Sequence, residues 1–283
     1  KKKIWFTISI LIIVIGFGFM FTKGMNFGID FRGGTQVVIN MGTDFNKTDV
    51  DKIVDEYSKD AVTNQVNGTE LQIKAKELNS SQVNDIFKAL KEKYNLKDDA
   101  LVSQNEIGAS VGRDLTTNAI VALAIAVIGM LIYVIIRFEF SFGIAAIIAL
   151  LHDVLITISV YAIFGITINT PFIAAILTIV GYSINDTIVI FDRIRENRKK
   201  LRGKSVEEIA DMSITQTMSR SINTTLTTLI TIVCVYIFVP TVRDFAFPLI
   251  VGIASGACSS VFIASPIWCI LANRQKNKKA INK

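Results

Sequence analysis

Histidine and cysteine are scarce in this sequence of 283 residues. The single histidine, His152, excludes a metal site built from several imidazoles. The three cysteines, Cys234, Cys258 and Cys269, all fall within long apolar segments, so the sequence predicts free buried thiols and no disulfide framework. We therefore expect neither a metal site nor a cofactor.

Apolar residues dominate the composition and occur in long blocks. They make up 51% of the sequence, and the mean hydropathy is +0.48. A helix that crosses a bilayer needs about 20 apolar residues. The sequence thus predicts a polytopic α-helical membrane protein with six transmembrane helices, at residues 4–21, 115–136, 140–164, 171–191, 221–239 and 245–272.

The distribution of charge predicts which side of the membrane each loop occupies. Residues 24–113 hold 11 basic and 14 acidic side chains, a net charge of −3, and the rest of the chain carries +9. This positive excess lies at residues 1–3, near 193–218 and at 273–283, which the positive-inside rule assigns to the cytoplasm. The net charge of +6 therefore reflects membrane topology, and no nucleic-acid partner is expected.

This topology divides the chain into four parts. We expect an uncleaved first transmembrane helix at 1–23, because no small-residue cleavage site follows its apolar run. An extracytoplasmic domain at 24–113 lies between the first and second helices. A five-helix transmembrane region at 114–272, with a cytoplasmic loop near 193–218, is followed by a basic cytoplasmic tail at 273–283.

Residues 24–113 have the patterning of a small α+β domain. Alternating apolar and polar residues predict strands in TQVVIN, AVTNQV, TELQIKAK and ALVSQNEI. Helical periodicity predicts helices in TDVDKIVDEYSKD, capped by Thr48, and in SSQVNDIFKALKEKYNL, capped by Ser80 or Ser81. The order β-α-β-β-α-β is typical of a ferredoxin-like domain.

No catalytic constellation is found in this domain. It has no histidine or cysteine, and its carboxylates alternate with lysines as on a solvated surface. Asn67-Gly68 predicts the hairpin turn between the second and third strands. Gly33-Gly34 is expected to shape the junction between the membrane and the first strand. The sequence therefore indicates a charged domain surface and no active site in this domain.

Five polar side chains interrupt the predicted membrane helices: His152, Asp153, Asn185, Asp186 and Arg220. Ionisable residues within the membrane usually face the bundle interior or a water-filled cavity, and are functional candidates. Counting from the expected helix ends at about 1.5 Å per residue places Asp186 and Arg220 both roughly 10 Å from the cytoplasmic side. The sequence therefore predicts an acid–arginine pair at one level of two antiparallel helices.

Two interpretations of these residues stay open on physical grounds. Asp186 and Arg220 either form a static ion pair that fixes helix packing, or Asp186 binds a proton while Arg220, always charged, serves as its counter-ion. Asp153 lies deeper and is either a second proton site or a packing carboxylate bonded to hydroxyl groups. His152 is expected to point about 100° away from Asp153 around the helix, and it is either a member of the candidate relay or, as a lone histidine in a helix more often is, a satisfied packing residue. Asn185 adjoins Asp186 in the candidate relay.

Small residues predict close contacts between helices. Gly181 would let a neighbouring helix approach the polar patch around Asp186. In the last span, Gly252, Gly256 and Ser260 recur every four residues, the small-xxx-small pattern of tightly packed membrane helices.

Three segments of the chain resemble the SecF family: GIDFRGGT at 28–35, IALLHDVLIT at 148–157 and GYSINDTIVIFDRIRENRK at 181–199. The resemblance covers nearly the whole chain and implies membership of the resistance-nodulation-division superfamily. It implies a subunit of the bacterial cytoplasmic membrane that works with SecD, as a separate chain or a fused half. Such a subunit uses the proton motive force, and not ATP, to promote late translocation of preproteins emerging from the SecYEG channel.

The resemblance also assigns roles to residues. In the SecF family, the aspartate of the IND motif and an arginine on the next span take part in proton passage, and these match Asp186 and Arg220. Two alternatives remain: half of a proton-driven small-molecule or lipid exporter of the same superfamily, or a structural scaffold subunit without proton chemistry. Exporters of that group carry larger external domains, whereas a scaffold predicts that a neutral pair can replace Asp186 and Arg220.

Overall fold

A computed structural model describes residues 2–66, 68–76, 78–201, 203–239 and 242–281, and the side chains of these residues except those of 2, 3, 109 and 276–281. Asn67 of the predicted hairpin turn and part of the basic segments at 1–3 and 273–283 lie outside the described residues. The chain divides into two compact units, Phe27–Ile120 and the remainder.

Ten α-helices and four strands are present in the described part of the chain. In chain order they are α1 (Lys2–Lys23), α2 (Ile29–Arg32), β1 (Gly34–Asn40), α3 (Lys47–Tyr57), β2 (Val62–Val66), β3 (Glu70–Ala75), α4 (Ser80–Tyr94), β4 (Leu101–Ile107), α5 (Ala109–Arg137), α6 (Phe140–Phe164), α7 (Thr170–Lys200), α8 (Val206–Phe238), α9 (Arg243–Ser259) and α10 (Ser265–Ile281). A π-helical turn, Ser260–Ala264, joins the last two helices.

The unit Phe27–Ile120 contains one four-stranded sheet of order β2-β3-β1-β4, in which all neighbouring strands are antiparallel. Alternate side chains of the central strands β1 and β3 are buried because successive residues of a strand point to opposite faces. They pack with α3 and α4 to form the core of this unit, which includes Val37, Ile39, Leu71, Ile73, Val50, Val54, Val83, Ile86 and Leu90. The elements follow the predicted order, with the short helix α2 added in front.

The glycine pair that precedes β1 has a steric role. Gly33 caps α2, and Gly34 opens β1 with φ +124°, a backbone conformation that favours glycine. A Cβ atom at Gly34 would lie 2.5 Å from the carbonyl oxygen of Ala75 on β3. The pair therefore lets the chain turn from α2 into the sheet at close contact with β3.

Both helix caps of this unit lie slightly earlier than predicted. Asn46 caps α3 by accepting a hydrogen bond from the backbone N–H of Thr48, so the assignment of Thr48 as N-cap was wrong. Asn79 caps α4 and forms a reciprocal capping box with Gln82, so the assignment of Ser80 or Ser81 was wrong as well. Asparagine caps as well as serine does, and the sequence offers adjacent candidates that the pattern does not separate.

Six helices in the described residues are long and apolar enough to cross a membrane, which confirms the predicted number. They are Ile4–Lys23, Ser110–Arg137, Phe140–Phe164, Thr170–Lys200, Val206–Phe238 and Arg243–Gln275. The chain is therefore a polytopic helical membrane protein.

The segment 193–218, expected to form a cytoplasmic loop between two spans, is largely helical. α7 continues to Lys200, where Glu196 forms an i,i+4 ion pair with Lys200. α8 already begins at Val206, where Ser205 and Glu208 form a capping box. The basic segment thus lies mostly on an extension of α7.

Three helices form the centre of the membrane unit. About half of the residues in the apolar windows of α6, α7 and the last span are buried, against few in α1, α5 and α8. The aromatic rings of Phe142, Phe191 and Trp268 pack together at centroid distances of 4.8 and 5.0 Å, and all three side chains are fully buried. These ring contacts join α6, α7 and α10. Together with the rest of the last span, these helices carry most of the buried polar side chains of the membrane unit.

Candidate functional site

Asp153 is the most deeply buried charged side chain among the described residues, with no exposed surface. Its Oδ2 accepts hydrogen bonds from the hydroxyl groups of Ser183 on α7 and Ser259 on α9, both at 2.6 Å. Its Oδ1 accepts one from the hydroxyl of Ser255 on α9 at 2.9 Å, and lies 2.9 Å from Nδ1 of His152. The carboxyl group therefore joins α6, α7 and α9.

The contact between His152 and Asp153 corrects the expectation that the two side chains diverge. The angle of about 100° between consecutive residues fixes only where the Cα–Cβ bonds point. The imidazole is long enough to turn back toward its neighbour, and its Nδ1 reaches Oδ1. His152 and Asp153 therefore form a hydrogen-bonded pair.

Asp186 is the second buried carboxylate of the membrane unit. Its Oδ2 accepts a hydrogen bond of 3.3 Å from the hydroxyl of Thr225 on α8. Arg220, five residues earlier on α8, is exposed and does not approach the carboxylate within 4.0 Å, although it interacts with Asp186 electrostatically at longer range. The predicted direct acid–arginine pair was therefore wrong.

The stagger of α7 and α8 explains this difference. Across their contact, Asn197 donates to Ser213 at 2.9 Å, and Thr228 donates to the hydroxyl of Tyr182 at 3.3 Å. This register puts Thr225, and not Arg220, opposite Asp186. Counting depth from helix ends ignores such a stagger, which amounts here to more than one helical turn.

Arg220 lines a cavity of about 640 Å³ at the end of α7 and the beginning of α8. Val189, one turn after Asp186, also lines it, so the cavity reaches to within about one helical pitch of the buried carboxylate. The other lining residues are Arg137, Asp192, Arg193, Arg195, Glu196, Lys199, Gln216 and Thr217. Polar and charged side chains thus line most of a cavity that ends close to Asp186 along α7.

The acidic groups of this cavity are already paired. Asp192 forms ion pairs with Arg137 and Arg195, at 3.4 and 2.9 Å. Glu196 contacts Arg193 and Lys200, both at 2.6 Å. The guanidinium of Arg220, in contrast, makes no hydrogen bond or ion pair to any residue that the structure describes. Its charge is therefore free to act on Asp186 through space.

Asn185 is not brought together with the other polar residues. It is exposed on α7, and its side chain makes no hydrogen bond within the described part of the chain. It points about 100° away from Asp186 around the helix. The structure thus gives it no contact with the buried carboxylates.

The small residues Gly252, Gly256 and Ser260 of the last span pack closely against α7. A Cβ atom on Gly252 would lie 2.3 Å from Cδ1 of Ile179 on α7, and one on Gly256 would lie 3.1 Å from Cβ of Ser183. Ser260 continues this face through a 2.9 Å contact between its hydroxyl and that of Thr187. These residues hold α9 and α7 close enough for both to reach Asp153.

Gly181 takes no part in this packing. It is exposed, and a Cβ atom there would meet nothing within 4 Å. It lies about 200° around α7 from Ser183, which contacts Gly256, and so faces away from α9. The prediction that a helix of this chain approaches Gly181 was wrong.

The residues whose hydroxyl groups bind the two carboxylates were not predicted as site residues from the sequence. Thr225, Ser183, Ser255 and Ser259 carry no charge and do not interrupt the apolar pattern. Ser255 and Ser259 are four residues apart and therefore share a face of α9 with Gly252 and Gly256, a signal that could have found them.

These features define a polytopic membrane protein whose helical bundle holds two buried carboxylates. The profile of the family "Protein export membrane protein SecD/SecF, C-terminal" matches residues 86–274, and that of the "SecD/SecF GG Motif" matches residues 18–45. The chain belongs to the SecD/SecF family of protein-export membrane proteins. The resemblance to SecF noted in the sequence is thereby confirmed.

Relatives extend over nearly the whole chain. The protein translocase subunit SecF of Petrotoga mobilis is 37% identical over 99% of this chain and 97% of its own length. The protein translocase subunit SecDF of Bacillus subtilis is 35% identical over 98% of this chain, which corresponds to 38% of that longer protein. The crystal structure of SecDF from Thermus thermophilus superposes with a TM-score of 0.87 at 34% identity, covering 97% of this chain and 38% of that one.

Proposed function

We propose that this chain is a SecF-like subunit that uses the proton motive force, together with SecD, to promote late, ATP-independent translocation of preproteins emerging from the SecYEG channel. The observation that carries the proposal is Asp186, a buried carboxylate about one helical turn from a polar cavity. Membership of the SecD/SecF family supports the export role.

Asp186 is the proton-binding site in this proposal. An ionised carboxylate within a bilayer costs from about 2.5 kcal/mol upward, and Thr225 supplies the one hydrogen bond that Asp186 receives from the described residues. Binding a proton removes that charge. One elementary charge crossing about 100 mV releases roughly 2.3 kcal/mol. This energy is enough to shift the equilibrium between two helix arrangements of similar free energy.

Arg220 is the counter-ion of Asp186. It carries a permanent charge, lines the cavity and acts on the carboxylate without a direct contact. Protonation of Asp186 ends this attraction, so that α7 and α8 are free to shift against each other. The shift moves the external domain and thereby the preprotein.

The topology follows from the charges. Residues 24–113 form an extracytoplasmic, ferredoxin-like domain, and both termini lie in the cytoplasm of a bacterial cell. The antiparallel sheet has the strand order β2-β3-β1-β4, and the helices α3 and α4 connect β1 to β2 and β3 to β4. This topology supports the assignment as a ferredoxin-like domain. The run Arg198, Lys199 and Lys200 at the end of α7 supports a cytoplasmic position for that end.

SecD is the principal partner, either as a separate chain or as a fused half. The support is that this chain corresponds to 38% of the SecDF proteins of Bacillus subtilis and Thermus thermophilus, so that a larger part of those proteins has no counterpart here. The SecYEG channel and exported preproteins are the further partners.

Replacing both members of the proposed pair separates this function from a scaffold. Vesicles containing SecYEG, SecD and the Asp186→Asn/Arg220→Gln variant should fail to complete export under a proton gradient, because the variant carries no titratable group at this level. The same double change at Asp211 and Arg243, two exposed charges of the membrane unit, is the control. Full export by the neutral pair would favour the scaffold. An exporter predicts instead that export does not depend on this chain at all.

A further inference from the structure

The imidazole of His152 presents an unused nitrogen to the interior of the membrane unit. Its side chain is only 13% exposed, and its Nε2 is buried without a hydrogen-bond partner among the described residues. His152 lies twelve residues after the start of α6, about 18 Å along the helix and therefore near the middle of the span. A packing histidine would be expected to have both nitrogens satisfied.

The surroundings of Asp153 fit an ionised carboxylate. An ionised carboxylate only accepts hydrogen bonds, at about four positions. Ser183, Ser255, Ser259 and the Nδ1 atom of His152 supply four partners, two at each oxygen. The two distances of 2.6 Å fall in the range of hydroxyl groups that donate to a charged carboxylate. The hydroxyl of Ser259 has a single hydrogen, and its contact with Oδ2 at 2.6 Å is shorter than its contact with the carbonyl oxygen of Gly256 at 3.1 Å, which favours donation to the carboxylate.

The charge on Asp153 fixes the tautomer of His152. Because this carboxylate can only accept, Nδ1 must carry the hydrogen that points at Oδ1. The neutral imidazole then has its lone pair on Nε2, the atom without a partner. An imidazole held in this way can accept a proton at Nε2.

Few other charged groups face His152. α1 has no charged side chain between residues 4 and 22, and α6 itself has none besides this pair. Within the apolar part of the bundle, the titratable groups of the neighbouring elements are Tyr182 and Asp186 from α7, the thiol of Cys258 from α9 and the thiol of Cys269 from α10, and α6 itself adds Tyr161. Arg243 and Asp244 lie at the far end of α9. Asp153 is therefore the one charged group in direct contact with His152.

We propose that His152, oriented by an ionised Asp153, is a second proton-accepting group of the membrane region, and that Asp153 is a positioning residue and not a proton carrier. The inference rests on the proposed proton coupling. Nε2 takes up one proton and the imidazole becomes imidazolium. The pair then changes from a net charge of −1 to zero, which lowers the cost of keeping it within the membrane.

The pair is connected to the helix that carries Asp186. Ser183, which donates to Asp153, precedes Asp186 by three residues on α7. A change of charge at His152 alters the field on this hydroxyl and so biases the position of α7. Both proton sites thereby act on the same helix.

Nitrogen NMR on the full chain with unlabelled SecD in lipid nanodiscs tests the protonation states directly, because His152 is the only histidine of the labelled chain. We expect the Nδ1–H tautomer in the neutral imidazole, and Nε2 as the nitrogen that gains a proton when the pH is lowered. In Asp153→Asn, the preference for Nδ1–H should be lost. An Nε2–H tautomer in the wild type, or an imidazole that stays neutral throughout the titration of the folded complex, overturns the proposal.

Export measurements test whether this proton matters. His152→Gln cannot accept a proton at this position and should change the pH profile of gradient-driven export. Ser159→Ala, on the same helix and bonded among the described residues only to the carbonyl of Leu155, should keep the wild-type profile. A wild-type profile in His152→Gln overturns the coupling role. If wild-type export ignores the gradient altogether, the proposed function fails, while the NMR result still decides the protonation assignment.

Discussion

Thr225 on α8 donates its hydroxyl hydrogen to Oδ2 of Asp186 on α7 at 3.3 Å, whereas Arg220 on the same helix stays more than 4.0 Å from that carboxylate. The residue that touches the buried acid is thus a neutral hydroxyl. The permanent charge lies about one helical turn away, in a cavity. A proton can therefore bind to Asp186 without first breaking an ion pair.

Removing the Thr225 hydroxyl should impair gradient-driven export. Thr225→Val keeps the shape of the side chain but takes away the hydrogen bond, and a bond to a charged group contributes about 1.5–3 kcal/mol. We expect export to slow about ten-fold or more while assembly stays normal. Thr225→Ser should restore most of the rate.

Thr227→Val is the matched control for this change. Its hydroxyl bonds only to the carbonyl groups of Asn223 and Thr224 in its own helix. An equal loss of export in Thr225→Val and Thr227→Val would show that the loss does not come from the hydrogen bond to Asp186.

A methyl group at Gly252 should destabilise the membrane unit. The added Cβ would lie 2.3 Å from Cδ1 of Ile179 and 2.9 Å from Oγ1 of Thr157, and overpacking of this kind costs about 1–3 kcal/mol. Thermal unfolding in detergent should show a lower midpoint for Gly252→Ala. Gly181→Ala, where nothing lies within 4 Å, should unfold at the wild-type temperature or slightly above it.

The hydroxyl groups at Asp153 should act as one unit. Ser183→Ala and Ser259→Ala each remove a 2.6 Å bond to the same oxygen, and each should cost about 1–3 kcal/mol. Because both bonds serve Oδ2, the cost of the double variant should differ from the sum. Unfolding of the two single variants and the double variant measures this coupling. Additive costs, or costs no larger than that of Thr178→Ala on the exposed side of α7, would contradict the account.

Acid should weaken the unit Phe27–Ile120 through Asp60. The hydroxyl of Ser58 and, next, the backbone N–H of Lys76 donate to this carboxylate and lower its pKa below the ordinary 3.8. A lowered pKa in the folded state means that Asp60 contributes stability above its unfolded pKa. That contribution is lost as the pH falls through the folded pKa.

An NMR titration of the Asp60 carboxyl carbon tests this prediction. The midpoint of the titration should lie below pH 3.8. In Ser58→Ala the midpoint should move back toward that value, because the largest cause of the shift is removed. A midpoint at or above 3.8 in the wild type would show that these bonds do not form in solution.

The sequence predicts this fold well where a residue type interrupts a pattern. Asp153 and Asp186 stand out because a carboxylate is rare in an apolar run. Val37, Ile39, Leu71 and Ile73 alternate with polar residues and so predict the strands whose inner face they fill.

The contacts of those carboxylates could not be predicted in the same way. Thr225, which binds Asp186, has the same appearance in the sequence as Thr227, which bonds only to its own helix. The distinction depends on the stagger between α7 and α8, a property of tertiary packing. The orientation of the His152 ring toward Asp153 depends on side-chain torsions, which helical periodicity does not fix.

The central claim is that Asp186 must change its protonation for the gradient to drive export. Vesicles with SecYEG, SecD and this chain should be loaded with a half-translocated preprotein, depleted of ATP and then given a proton gradient. The account predicts that wild type and Asp211→Asn, an exposed control on α8, complete translocation, whereas Asp186→Asn assembles normally and stalls. Completion by Asp186→Asn at the wild-type rate would contradict it.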